Sequence, residues 1–311
     1  MGSRTRVSDL AQSLAGCQWF ALFVHAFRPP KQRQPTLLAM TQTAFSALSV
    51  APADAHDVRS HERRVAGPRG LRKGVHETAP ARPLIELSGI AKRHGDAQGG
   101  VAALRGIDLR VEEGEFIALT GGRGAGKSTL LNIIGALDSP DAGTYAFRDV
   151  LLDQASPTSL ALLRRFYIGL VQPDFHPRQC ATVQAYVEAP LLYRDESAVA
   201  RRVAATGALE AAGLAGWEQC RPTDLSAAQQ RRAAVARALV TRPALLLADA
   251  PEDRRGCLQP CGEEFVALLD ELNRERGITI IAVLADAEQA AWAKRVLHLA
   301  GGRIESDTRP G

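Results

Sequence analysis

Apolar and polar positions change texture near residue 84. From Pro52 to Pro83 the chain is rich in Arg, Ala, Pro and Gly and has no period, which predicts a disordered tail or linker. Beyond it, short apolar runs of strand type recur: Leu84–Leu87, Ile107–Val111, Phe116–Thr120, Ile168–Val171, Ala244–Ala248, Thr279–Leu284 and Val296–Leu299. Helical stretches lie between them, notably Ser128–Leu137, Ser159–Arg165, Ser197–Ala212, Ala228–Thr241 and Glu264–Arg276. Strands alternating with helices predict a mostly parallel sheet covered on both faces. The pattern predicts a basic extension over residues 1–83, a folded domain over 84–306 and a short tail, 307–311. No run reaches 18 apolar residues without a charge, so no transmembrane helix is expected. No internal repeat is visible.

Composition adds limits. With 311 residues, 46% apolar and 23% charged, the chain closes a full-sized core, and collagen, coiled coil and wholesale disorder are excluded. Its net charge of +4 is unevenly divided: residues 1–83 hold 12 Arg/Lys against 5 Asp/Glu, whereas residues 84–311 hold 26 against 29. The acidic body gives no reason to expect nucleic acid as a partner. Five scattered cysteines (Cys17, Cys180, Cys220, Cys257 and Cys261) suit a reducing cytosol better than a disulfide framework. Cys257 and Cys261 lack a second Cys/His pair at zinc-ligand spacing and read as unpaired thiols. Leu14–Cys17, L-A-G-C, has the shape of a lipoprotein cleavage box, but Ser8, Asp9, Gln12 and Ser13 interrupt the apolar run such a signal needs. The apolar run Trp19–Phe27 is too short to span a bilayer, so no export signal or anchor is expected there. Met40, the only methionine after Met1, is an alternative start.

The strongest chemical signal is G-G-R-G-A-G-K-S at residues 121–128, which fits G-x-x-x-x-G-K-[ST]. The strand Phe116–Thr120 leads into it and a helix follows. Glycines let backbone N–H groups turn inward around phosphates, and the helix N-terminus adds positive partial charge. Lys127, one of only five lysines among 38 basic residues, can reach the β- and γ-phosphates; the Ser128 hydroxyl can ligate Mg²⁺. Downstream, A-L-L-L-A-D at 244–249 is an apolar strand ending in Asp249, placed to hold Mg²⁺ through water. An Asp that merely caps a strand end is the plain alternative.

Leu225–Gln229 reads L-S-A-A-Q and is followed by Q-R-R-A-A-V-A-R-A-L-V-T-R-P. S-x-x-Q is also a capping box, sufficient to start a helix with no ligand present. The whole string nevertheless resembles the signature L-S-G-G-Q of ATP-binding-cassette (ABC) ATPases, with Ser226 and Asp249 at the family spacing. Ala103–Gly126, Leu130–Gly143, Leu163–His176 and Glu188–Tyr193 resemble the subgroup serving lipoprotein release and macrolide export. The resemblance covers residues 84–306. It implies a P-loop NTPase fold with a mostly parallel sheet, a small antiparallel β subdomain and a helical subdomain. It further implies ATP and Mg²⁺ as ligands, with Gly121, Gly122, Arg123, Gly124, Ala125, Gly126, Lys127, Ser128 and Thr129 around the phosphates. His94 falls at the adenine-stacking position, and Ser226 and Gln229 belong to the signature. The implied partners are a second cassette, as homo- or heterodimer, and a membrane permease that holds the chain peripherally on the cytoplasmic face of the cell membrane.

Departures from the family pattern fall on residues that do chemistry. Ala250 stands for the glutamate that polarises the attacking water, Ala285 for the switch histidine, and Pro173 for the lid glutamine, with Gln172 one position early. If Gly256–Gln259, after a two-residue insertion, is the equivalent of the loop at the dimer seam, Gln259 replaces its acid; Ala227 and Ala228 replace both signature glycines. Without a positioned base, hydrolysis falls by about 10²–10⁴. The expectation is an ATP-binding subunit that turns over poorly or not at all. The alternatives are an active transport ATPase with substitute groups and a non-functional remnant.

Overall fold

The computed structural model describes residues 83–309 apart from 96–99, 154, 173–179, 250–261 and 285–286. The L-A-G-C box, Met40, Cys257 and Cys261 lie outside the described residues. The strands are β1 (Ile85–His94), β2 (Val101–Val111), β3 (Phe116–Thr120), β4 (Ala142–Phe147), β5 (Val150–Leu151), β6 (Ile168–Val171), β7 (Leu245–Asp249), β8 (Thr279–Val283), β9 (Arg295–Ala300) and β10 (Arg303–Thr308). The helices are α1 (Lys127–Ile134), α2 (Pro157–Tyr167), α3 (Val183–Glu188), α4 (Ala198–Ala211), α5 (Ala227–Leu239), α6 (Gly262–Arg276) and α7 (Ala287–Ala290).

Two sheets result. The larger has the order β10-β9-β3-β8-β7-β6, parallel except for the β9/β10 pair. Every residue of β3 and β8 is buried, as unbroken apolar runs covered on both faces require. Helices α3, α4 and α5 share one apolar cluster with this sheet, in which Val183, Val187, Leu209 and Val235 join Phe116, Ala118 and Ala248. The smaller sheet, β2-β1-β4-β5, is wholly antiparallel. The architecture is that of the cassette fold the resemblance implied: parallel sheet, antiparallel subdomain and helical layer.

Differences from the sequence reading have local causes. The expected strand Leu84–Leu87 is the start of a ten-residue β1. Its inward positions are Ile85 and Leu87 and then Ile90, because an irregularity between Leu87 and Ile90 shifts the alternation. Gly89 sits there at φ 62°, its N–H donating to Asp108 Oδ1 at 2.7 Å. Helix α1 stops at Ile134 rather than Leu137: Ala136 takes a left-handed φ of 52°, and the Leu137 N–H turns back to the Asn132 carbonyl at 2.8 Å. Strand β10 (R-I-E-S-D-T) carries a single apolar residue and is fastened by charge. The buried Arg295 donates through Nε and Nη2 to both oxygens of Asp307, at 2.8 and 2.7 Å, and through Nη1 to the Arg110 carbonyl at 2.7 Å. Glu115 receives Arg295 Nη1 at 3.1 Å and Arg309 Nη2 at 3.0 Å. Ordered structure therefore runs past residue 306, where the tail was expected to begin. The Arg295 hydrogen bond holds the Asp307 carboxyl below the usual range and raises the guanidinium in turn.

Candidate functional site

The glycine-rich loop leaves the C-terminal end of β3 and enters α1, the strand–loop–helix order that the motif requires. Three of its glycines adopt positive φ: Gly121 at 140°, Gly124 at 77° and Gly126 at 102°. At two of them a side chain has no room. A Cβ on Gly126 would meet the Ala103 carbonyl oxygen at 2.5 Å and Leu104 Cδ2 at 2.9 Å, and one on Gly121 would collide with the Leu299 carbonyl oxygen. The loop is braced further by the Gly302 N–H, which donates to the Ala125 carbonyl at 3.2 Å. Gly302 itself, at φ 78°, packs where a Cβ would sit 2.7 Å from the Ala103 oxygen. Leu299, Gly302 and Ala103 are thus structural supports of the loop. Sequence reading missed them, and the paired glycines Gly301–Gly302 after an apolar strand were the available signal.

The loop gathers the predicted groups. Lys127 is buried, and its Nζ donates to the carbonyls of Gly121 at 2.6 Å and Gly122 at 3.0 Å, which hold the ammonium over the loop. Ser128 Oγ donates to Asp249 Oδ2 at 3.2 Å, bringing the end of β7 to the start of α1. This hydroxyl and carboxylate form an oxygen-only donor pair suited to a hard divalent cation such as Mg²⁺. His94, at the end of β1, places Nε2 3.1 Å from Thr129 Oγ1, so the position expected to face adenine does lie beside the loop helix. Asp141 flanks it, its carboxyl held below the ordinary range chiefly by the Arg93 backbone N–H at 2.7 Å and then by Lys92. Arg123, within the loop, is exposed.

The signature segment stands at the N-terminus of α5. Ser226 and Gln229 form a reciprocal capping box: Gln229 N–H to Ser226 Oγ at 3.3 Å, and Ser226 N–H to Gln229 Oε1 at 2.9 Å. The plain helix-start reading is therefore realised, and the exposed Ser226 hydroxyl keeps its own proton to donate. Ala227 and Ala228 occupy the first turn of α5, and neither has positive φ. The missing glycines therefore cost no backbone freedom here, and what remains is one exposed and one half-buried methyl group. Ala250, Ala285, Pro173 and Gln259 lie outside the described residues; Gln172 is exposed just after β6.

A glycine cradle on a helix N-terminus, a lysine over it and a Ser/Asp pair beside it define a P-loop nucleotide-binding protein. The ABC transporter family model matches residues 104–253. Over 228 residues the chain is 39% identical to the macrolide export ATP-binding/permease protein MacB of Sodalis glossinidius, covering 73% of this chain and 34% of that protein. It is 42% identical over 230 residues to the pyoverdine export ATP-binding/permease protein PvdT of Pseudomonas putida, covering 73% and 35%. The chain thus spans about a third of the length of these relatives. The dimeric post-hydrolysis structure of the ATP-binding cassette MJ0796 with ADP and Pi is 34% identical with a TM-score of 0.65, covering 73% of this chain and 99% of that one. This chain belongs to the ABC transporter family as an ATP-binding domain, and it is similar to the macrolide-export subgroup. Among the described residues no helix is long and apolar enough to cross a membrane.

Proposed function

We propose that the chain is the ATP-binding subunit of an export-type ABC transporter that binds MgATP and hydrolyses it poorly or not at all. What carries this reading is the contrast between an assembled phosphate loop and the residue types that stand at the family's chemical positions. The loop, Lys127 and the Ser128–Asp249 pair are assembled, while alanines stand at 250 and 285 and proline at 173. Lys127 would release the two loop carbonyls to meet the β- and γ-phosphates. Ser128 and Asp249 would hold Mg²⁺, which supplies charge neutralisation to the phosphates. His94 stacks on adenine with a smaller ring than the family aromatic. Ser226, with its hydroxyl proton free, caps the γ-phosphate of ATP held by a second cassette, and the alanine methyls weaken that approach. A membrane permease, which this chain would serve from the cytoplasmic face, completes the transporter.

One observation favours a second reading, an active transport ATPase: Gln172 is exposed next to the lid position and offers a substitute amide. Measuring ATP binding and phosphate release on one sample of the full chain separates the two. Binding without release supports the first reading, and release at a rate typical of the family supports the second.

A further inference from the structure

The antiparallel pair β1/β2 ends beside the phosphate loop. In its final register pair His94 stands directly opposite Val101. Residues paired in this way project from the same face of the sheet, with Cβ atoms about 4.5–5.5 Å apart. The His94 ring marks which face that is, because its Nε2 lies 3.1 Å from Thr129 Oγ1 on α1. Strand β2 also touches the loop itself: the Ala103 carbonyl oxygen and Leu104 Cδ2 are the atoms that a Cβ on Gly126 would meet. Beyond the pair the two strands are tied together. Arg93 Nη2 donates to the Gly100 carbonyl at 2.7 Å, and a Cβ on Gly95 would lie 3.2 Å from the Gly100 Cα.

Val101 is 72% exposed. A single exposed valine needs no explanation by itself. This one stands next to the ring expected to carry the base of the nucleotide, and that ring is small. A purine has two fused rings, so stacked on an imidazole it leaves part of its apolar surface in water. Val101 offers that surface a branched apolar side chain on the same face. Polar groups around the pair are engaged already: Thr129 by His94, and Asp141 by the Arg93 N–H at 2.7 Å and Lys92 Nζ at 3.3 Å. Apolar contact is what the position has to offer a base.

We propose that Val101 is a second contact for the purine base of the bound nucleotide, covering the part that His94 leaves exposed. The proposal rests on the nucleotide-binding reading above and adds to it a residue of β2. The phosphates stay with the loop, and Val101 touches the base alone.

The test measures affinity by calorimetry for MgATP and for magnesium tripolyphosphate, which has three phosphates and no base. The unaltered full chain is compared with Val101→Thr and Val101→Phe, both of which keep a strand-forming side chain at an exposed position. Val101→Thr should weaken ATP binding by roughly fourfold, the effect of losing one buried methyl group. Val101→Phe should strengthen it by a similar factor, since a ring stacks on a purine better than an aliphatic branch does. Neither change should move tripolyphosphate binding, which also reports that the loop is folded in each variant. ATP affinity unchanged in both variants, or equal shifts for ATP and tripolyphosphate, would overturn the proposal and leave the phosphate loop standing. Binding of neither ligand by the unaltered chain would overturn the nucleotide-binding reading, and the proposal with it.

Discussion

The phosphate loop and the signature segment both begin a helix, and both belong to motifs in which the family uses glycine. Their tolerance of a methyl group is opposite. In the loop, Gly121 and Gly126 adopt positive φ and press against backbone oxygens of Leu299 and Ala103, so an added Cβ has nowhere to go. At the signature, Ala227 and Ala228 sit in an ordinary helical turn behind the Ser226 cap. Glycine in the first region is a requirement of this chain's own fold. In the second it concerns what approaches from outside. A chain can therefore lose the second set, keep its structure and keep its nucleotide cradle.

The largest effect expected concerns turnover. The quadruple change Ala250→Glu, Ala285→His, Ala227→Gly and Ala228→Gly should raise phosphate release by about 10²–10⁴, the scale of a restored base, with Pro173→Gln required in addition if it does not. Ala250→Glu alone should fail, because groups that act as a unit are strongly non-additive. Full recovery by that single change would show the signature alanines to be harmless and erase the contrast. Gly126→Ala comes next. Left-handed strain and the contact with the Ala103 oxygen together cost about 2 kcal/mol or more, and fluorescent ATP binding should be lost with the loop's shape. Lys127→Ala should weaken ATP binding by roughly 10- to 100-fold, the value of a charge-assisted contact; equal binding by wild type and variant would remove the loop from the site.

How much of this was readable in advance followed from how locally each feature is determined. The loop was legible because strand, glycines, lysine and helix lie in one contiguous stretch. Strand β10 was not, since its single apolar residue gives no pattern and the Arg295–Asp307 pair that fastens it is a tertiary fact. Nor were the loop's supports: Gly121 and Leu299 meet only after the sheet assembles. Strand β1 was half legible, up to the point where its irregularity reverses the alternation.

Two smaller effects sharpen the contrast. Ala227→Gly or Ala228→Gly alone should lower thermal stability by no more than about 1 kcal/mol, the propensity difference in a helix, where a loop substitution costs far more. A larger loss would mean these methyls pack within the chain. The Asp307 carboxyl is depressed by Arg295, so the pair's stabilisation is present above the unfolded pKa and lost as pH falls through the lower folded value. Asp307→Asn should flatten that acid limb of the thermal transition without altering ATP affinity.

The most direct measurement is made on the unaltered full chain: equilibrium binding of MgATP and steady-state phosphate release from the same preparation. Saturable ATP binding, with release lower by about 10²–10⁴ than in a chain with its base and signature restored, is the predicted result. Release equal to that of the restored chain, or no ATP binding at all, would contradict it.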